Sequence, residues 1–298
     1  MNNARMAGAA GLQPGRGLTG NYEVRQEGSG NLSLEVEPME PLNLLREIYA
    51  RYPCRTLANA FWKTAANINE SRLVVTWDDA EEPASLALWE GKRLMSFWCA
   101  DPAAQPLKQE EIDSASFALV HQNALPVFAK RDFAVRRPYF RLVYEGEKTD
   151  SVCPSSFDFS RFKPENDIDA VVSLIRASYK NIKVSTEIVK GWMFHPVYDP
   201  DLWLWVIDLE TGEKAALGIA ERDPRVGEAS LEWIQVLPAF QGKGLGKAIV
   251  TELLRRVSDS VKFTTVAGEL ENVHQPERLY RRCGFTGDDV WWLLSEKG

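Results

Sequence analysis

The stretch Ile234–Gly246, IQVLPAFQGKGLG, runs directly into KAIVTELLRRV, and no other part of the chain restricts the fold as much. An apolar run ends at Pro238, a loop with three glycines follows, and helical periodicity then begins. A strand that turns through glycines into a helix places unpaired N–H groups and the positive end of a helix dipole beside a backbone that a ligand can approach closely. That is an anion site in an α/β layer. Spacing excludes two familiar phosphate loops. A P-loop needs four residues between its first Gly and Gly-Lys, followed by Ser or Thr. Here Gly242 and Gly246 have three residues between them and Ala248 follows Lys247. A dinucleotide fingerprint requires G-x-G-x-x-G, whereas this loop reads G-x-G-x-G.

The elements around the loop form a consistent series. FDFSRF reads as a short strand. PENDIDAVVSLIRASY carries Pro164 and acidic residues at its start and Ile168, Val171, Val172 and Ile175 on one face, which predicts a helix. STEIVKGWM predicts a second helix, and LWLWVIDLETGEKAALGIAERD two strands joined at Thr211-Gly212. ASLEWIQVL is a strand, GKAIVTELLRRV a helix and FTTVAGEL a strand; PERLYRRCGF is a helix stopped at Gly284, and DVWWLL a last strand. The order β-αα-βββ-α-β-α-β predicts an α/β (α+β) fold with a mixed sheet.

The first half is predicted to be a second α+β domain. PLNLLREIYARY and TLANAFWKTAANI read as helices, SRLVVTW as a strand, and SLALWEGKRLMSFWCA as a hairpin around Gly91. QEEIDSASFALVHQNALPVF has acidic residues at its start and apolar residues at helical spacing, so it predicts one longer helix. RPYFRLVYEG closes this part as a strand, and the polar EGEKTDSVCPSS is the linker candidate. Before Pro38 large apolar residues are almost absent, and this segment is expected to be poorly ordered. The expected domains are therefore a lead-in over residues 1–38, an ancillary domain over 39–148 and a second domain over 149–298.

Length and charge narrow the function. The 298 residues suffice for two cores, and the net charge of −7 argues against a nucleic-acid or anionic-membrane partner. No apolar run is long enough for a membrane span, and the N-terminus lacks the apolar core of a signal peptide, so a cytoplasmic location is expected. Cys54, Cys99, Cys153 and Cys283 are widely spaced and read as reduced thiols. His121, His195 and His274 have no metal-ligand spacing, so no metal is expected.

The loop resembles the V-x-P-x-x-[QR]-x-x-G-x-G/A pattern of the GNAT superfamily of N-acetyltransferases, through Val236, Pro238, Gln241, Gly244 and Gly246. Downstream, ENVHQPERLYRRCGF is similar to the family's second signature, an Asn, then a Tyr, then x-x-x-G-F. Asn272, Tyr280 and Gly284-Phe285 match it. Asn272 and Tyr280 are eight positions apart where the family has seven, and Pro276 occupies the turn between them. The resemblance covers about half the chain. It implies an acetyl-CoA-dependent N-acetyltransferase acting by direct transfer in a ternary complex, with acetyl-CoA as co-substrate and a small-molecule or peptide amine as acceptor. It implies that Ile234, Gln235 and Val236 hold the pantetheine arm and acetyl group. Gln241, Gly242, Lys243, Gly244, Leu245, Gly246 and Lys247 would form the pyrophosphate loop, with Asn272 and Tyr280 as further coenzyme contacts. Family members often dimerise, so a homodimer is among the expectations.

Three catalytic jobs follow from that chemistry. A backbone N–H near Val236 is the candidate oxyanion donor, and Tyr280 the candidate acid for the departing thiolate. Glu232 shares strand parity with Val236 and is the candidate base, with Glu228, Glu269 and Glu271 as rivals. His195 is a candidate for the acceptor side, and Cys283 reads as a small buried residue. Two other functions stay open: a non-catalytic acyl-CoA sensor, and an acyltransferase using a longer acyl group or an alcohol acceptor. The first half lacks a glycine loop of this type. Yet VFAKRDF at Val127–Phe133 faintly echoes LYRRCGF, and Ala100-Asp101-Pro102 echoes Val236-Leu237-Pro238, so a degenerate GNAT-like half is a further expectation.

Overall fold

The computed structural model describes residues 22–25, 41–68, 71–80, 82–101, 106–147, 149–178 and 183–296. The chain divides into two compact units, one comprising Leu142–Gly287 and the other running up to Arg141 and resuming at Asp288.

The elements of the first half are β1 (Tyr22–Arg25), α1 (Pro41–Arg51), α2 (Pro53–Thr56), α3 (Phe61–Ala65), β2 (Arg72–Trp77), β3 (Pro83–Glu90) and β4 (Arg93–Cys99). After them come α4 (Gln109–Ser114), β5 (Phe117–His121), a 3-10 segment (Gln122–Phe128) and β6 (Val135–Tyr144). β2, β3 and β4 pair antiparallel. β4 and β5 are parallel but pair only at Arg93↔Phe117 and Leu94↔Ala118, after which they diverge. The outer side of β5 is closed by Trp291–Ser295, which pair antiparallel with it. Trp89, Phe97, Val120, Phe128 and Leu294 meet in the core of this unit.

Most of the expected lead-in lies outside the described residues. Within it, Tyr22–Arg25 form β1, parallel to β2. Two helix expectations are corrected. TLANAFWKTAANI is not one helix: α2 ends at Thr56, Leu57 is extended, and α3 begins at Phe61. QEEIDSASFALVHQNALPVF is helical only over its first six residues, then becomes β5 and the 3-10 segment. Residues 117–121 fit either periodicity, and strand partners on both sides decide for β.

The second unit contains β7 (Phe157–Arg161), α5 (Pro164–Ser178), α6 (Thr186–Met193), β8 (Trp203–Asp208), β9 (Lys214–Asp223), β10 (Glu228–Val236), α7 (Leu245–Val257), β11 (Phe263–Glu269) and α8 (Pro276–Arg282), and β12 (Thr286–Ser295) begins there. β7, β8, β9 and β10 form an antiparallel series, and β11 joins β10 in parallel. The α/β character with a mixed sheet agrees with the sequence expectation. On one face Trp203, Trp205, Leu217, Ile219 and Trp233 pack against Ile168, Val171 and Ile175 of α5 and Val189 of α6. On the other face α7 lies close to β9. A Cβ on Gly218 would sit 2.4 Å from Ile249 Cγ2, so this crossing needs a glycine.

Candidate active site

The parallel ladder between β10 and β11 runs from Glu228↔Phe263 to Leu231↔Val266 and stops, while β10 stays paired with β9 as far as Val236↔Ala216. Beyond Leu231 the two parallel strands therefore open into a V. The direction of the backbone groups in the V follows from one bond. Leu237 N donates to Ala215 O at 3.0 Å. Hydrogen-bonded and non-hydrogen-bonded pairs alternate along an antiparallel ladder. Gln235 therefore turns its peptide groups toward β9, whereas Ile234 and Val236 turn theirs away from β9, toward the opening. Gln241 Nε2 donates to Val236 O at 3.3 Å, tying the following loop back to the strand.

The loop continues into α7. Gly242 and Gly244 have φ of +79° and +82°, and Gly244 is the N-cap with no side-chain cap bond. The bond from Ala248 N to Gly244 O is the first turn of the helix, so the amides before Ala248 project from its uncapped end. An added Cβ at Gly242 meets nothing within 4 Å, and at Gly244 only Pro154 Cγ at 4.0 Å. The cradle is thus open to a ligand, its charge preference is negative, and the residues present fit a pyrophosphate. Lys243 Nζ lies over the rings of Phe157 and Phe240, 5.6 and 5.0 Å from their centroids, an aromatic seat that the spacing of the loop does not signal because Phe157 comes from β7. Lys247 is exposed on the first turn. Gly246 packs beneath α8, where a Cβ would approach Leu279 Cδ2 to 3.1 Å.

The parity argument for Glu232 needs correction. Leu231 faces Ala220 and Trp233 faces Ile219, so Glu232 is the extra residue of a β-bulge. The bulge resets the alternation: Ser230, Trp233 and Gln235 share the face of α5 and α6, and Ile234 and Val236 take the other. Glu232 turns toward Ser230, whose Oγ donates to its Oε1 at 2.8 Å, and the residue is only 8% exposed. It is a buried carboxylate beside the mouth of the V, placed there by the bulge rather than by parity. Glu228 is buried and accepts from Thr265 Oγ1, Glu269 is half-buried at the end of β11, and Glu271 is exposed.

Tyr280 is buried on α8 and meets Phe285 edge-on at 5.8 Å. Asn272 lies before that helix, where its Oδ1 accepts from His274 N at 2.9 Å in an Asx turn. The N-cap of α8 is Gln275, at φ 47°. His195 follows α6; burial lowers its pKa first, the nearby Arg225 adds to this, and Asp223 opposes it, so the imidazole is held neutral. Burial pushes the Cys283 thiol up to about 11, against a smaller opposing effect of Lys247, so it is no nucleophile. Ile234, Gln235, Val236, Gln241–Lys247, Glu232 and Tyr280 all belong to the 142–287 unit, as does Asn272. Among the described residues no group of three or more His, Cys, Asp or Glu is arranged to hold a metal, and no helix is long and apolar enough to cross a membrane.

Comparison with known proteins agrees with this geometry. Residues 200–287 match the family model described as an acetyltransferase (GNAT) domain. No curated protein matches the chain in sequence. Among solved structures, a GCN5-related N-acetyltransferase from Sphaerobacter thermophilus superposes with a TM-score of 0.56 at 16% identity, covering 76% of this chain and 80% of the other. A GNAT-family acetyltransferase from Colwellia psychrerythraea gives 0.56 at 14% identity, covering 86% and 98%. A tandem GNAT protein from the clavulanic acid biosynthesis pathway gives 0.53 at 12% identity, covering 88% and 97%. At these identities the structural likeness establishes the fold.

Proposed function

We propose that this chain, which carries a GNAT acetyltransferase domain over residues 200–287, transfers the acetyl group of acetyl-CoA to a primary amine of a small molecule or peptide. The observation that carries the reading is the pairing of an uncapped, glycine-opened start of α7 with a strand whose Ile234 and Val236 backbone groups face an opening in the same sheet. Amides ahead of Ala248 take the pyrophosphate, with Lys243 and Lys247 adding positive charge. Ile234 and Val236 hold the amide-rich pantetheine arm in the manner of an added strand.

When bound, acetyl-CoA supplies an activated acyl thioester. The residues of the chain then have three tasks. The Val236 N–H stabilises negative charge at the carbonyl oxygen, because it points into the V and cannot bond to β9. Glu232, fixed by Ser230, accepts a proton from the acceptor ammonium. Tyr280 donates a proton to the departing sulfur. The tandem arrangement of the first half is part of the same proposal. Antiparallel β2-β3-β4 with a diverging parallel β5 repeats the pattern of β8-β9-β10 with β11. Phe128 ends its 3-10 segment buried, as Tyr280 is buried on α8, and Pro102 of the other echo lies outside the described residues.

Titration of acetyl-CoA into the purified protein by calorimetry, beside the loop variant Gly244→Glu, tests the reading. Binding by the wild type that the variant loses, followed by thiol release in the presence of amines, is the expected result. Folded wild type that does not bind acetyl-CoA would end the assignment. Binding without release of free coenzyme A thiol in the presence of any amine would leave a coenzyme sensor in its place.

A further inference from the structure

The other unit, which holds residues up to Arg141 and from Asp288, contains a cavity of about 400 Å³. It opens where β4 and β5 part after Leu94↔Ala118. Its volume falls within the range of small-molecule sites. Part of its wall is apolar: Ile48, Phe97 and Trp98 are buried, and Tyr52 stacks on Trp98 at 6.1 Å and 21°.

Both signs of charge line the rim, held by weak ties. Arg51 reaches Glu82 through one 3.4 Å contact, with both side chains 62% exposed. Arg55, 64% exposed, lies 3.6 Å from Asp289. Such long contacts of exposed arginines contribute little. Asp78 faces the same space, with its Oδ1 accepting from the amides of Ala80 and Glu82.

Two groups of the lining that could take part in chemistry are occupied or unreactive. His121 Nε2 bonds Asp289 Oδ1 at 2.9 Å and its Nδ1 accepts from Asn123 N at 3.3 Å, which leaves no ring nitrogen for proton transfer. Burial raises the Cys99 thiol and the Asp101 charge adds to this, although its bond to the Asp101 carbonyl opposes them; the sulfur stays protonated. The helix nearest in sequence to β5 offers no N-terminal phosphate seat. α4 is six residues long and has Glu110 and Glu111 in its first turn, and the Glu111 carboxylate already takes Lys108 N and Arg72.

We propose that this cavity binds a small zwitterion with a large apolar body, that is, a free α-amino acid with an aromatic or branched side chain. Arg51 and Arg55 take the carboxylate in place of their long pairs, since a guanidinium fork suits a carboxylate. Asp78 and Glu82 face the ammonium, and the apolar part of the wall takes the side chain. A ligand bearing only a carboxylate leaves Glu82 and Asp78 uncompensated, and one bearing only an ammonium leaves the two arginines so.

Calorimetry on the full chain with L-phenylalanine tests this, alongside phenethylamine and 3-phenylpropionate as molecules lacking one charge each. Phenylalanine should bind once per chain and each partial molecule at least about tenfold more weakly. Arg55→Gln should weaken phenylalanine by about tenfold, and Val127→Trp, which fills the cavity, should remove binding. Gly244→Glu should bind phenylalanine as the wild type does, which separates this site from the proposed coenzyme loop. The proposal is overturned by folded wild type that ignores phenylalanine at about 10 mM. It is also overturned by equal binding of either partial molecule, by unchanged affinity in Arg55→Gln, or by loss of binding in Gly244→Glu.

Discussion

Gly244 allows the anion-site reasoning to be tested in separable parts. The residue sits at φ +82° and ψ 0°, and a Cβ there would touch only Pro154 Cγ, at 4.0 Å. The cost of Gly244→Ala is therefore conformational alone, about 1 kcal/mol for a side chain in the left-handed region. In melting temperature that is roughly 2–4 °C. Gly244→Asn should recover part of it, because Asn tolerates this region better. Gly244→Glu carries the same strain and adds a carboxylate at the seat proposed for two phosphates. A unit charge at about 4 Å contributes between ~1 kcal/mol in water and ~4 kcal/mol at a protein surface. A net loss of about 3 kcal/mol, near 100-fold in acetyl-CoA affinity, follows. Calorimetry at low and high salt reads it, and raising salt to about 1 M should shrink the gap between Glu and Ala, since the Debye length falls to about 3 Å. If Glu and Ala lose affinity equally at both salt concentrations, charge at the helix start is irrelevant and the reasoning fails. If Glu binds within about threefold of the wild type, the loop is not the phosphate seat.

Gly218→Ala should destabilise the 142–287 unit by about 1–3 kcal/mol, since its methyl would overlap Ile249 and crowd Leu253; a denaturation midpoint unchanged from wild type would contradict that packing. Tyr280→Phe keeps the ring contact with Phe285 and should lower turnover by about tenfold or more with acetyl-CoA affinity retained; full turnover would remove Tyr280 as the acid. Burial alone would raise the Glu252 carboxyl, but bonds from Arg255 and Arg256 hold it at about 2. Its folded pKa lies below the unfolded value of about 4.5, so the stabilisation is complete above that pH and is lost as pH falls toward 2. Glu252→Gln should accordingly cost about 1–2 kcal/mol at pH 7, allowing for solvent around the arginines, and the two proteins should converge near pH 2. Cys283, at about 11, should resist iodoacetamide at neutral pH until the chain unfolds, and rapid labelling in the native state would contradict its burial.

The elements with strong local signals were legible in the sequence. Pro164 and the acidic residues after it marked the start of α5, and the glycines before Lys247 marked the turn into α7. Information that comes from distant partners was not legible. Residues 117–121 look helical beside the acidic run of α4, and they become a strand because β4 and Trp291–Ser295 pair with them. Counting in twos from Val236 puts Glu232 on the face of Val236. One bulge residue changes that count, and nothing in ASLEWIQVL marks it. The shape of the loop was legible because the positive-φ turn and the uncapped start of α7 depend on the backbone, which glycine spacing reports directly. The cavity near His121 was not, because its lining comes from four separated segments of chain.

The pairing of β5 with residues 291–295 also sets an order of events during synthesis. His121 and Asp289 are 168 positions apart, so the first half leaves the ribosome with one edge of β5 uncovered and stays that way while the whole 142–287 unit is made. An exposed strand edge invites pairing with other nascent chains. The first half thus completes its sheet only once residues 291–295 have been made.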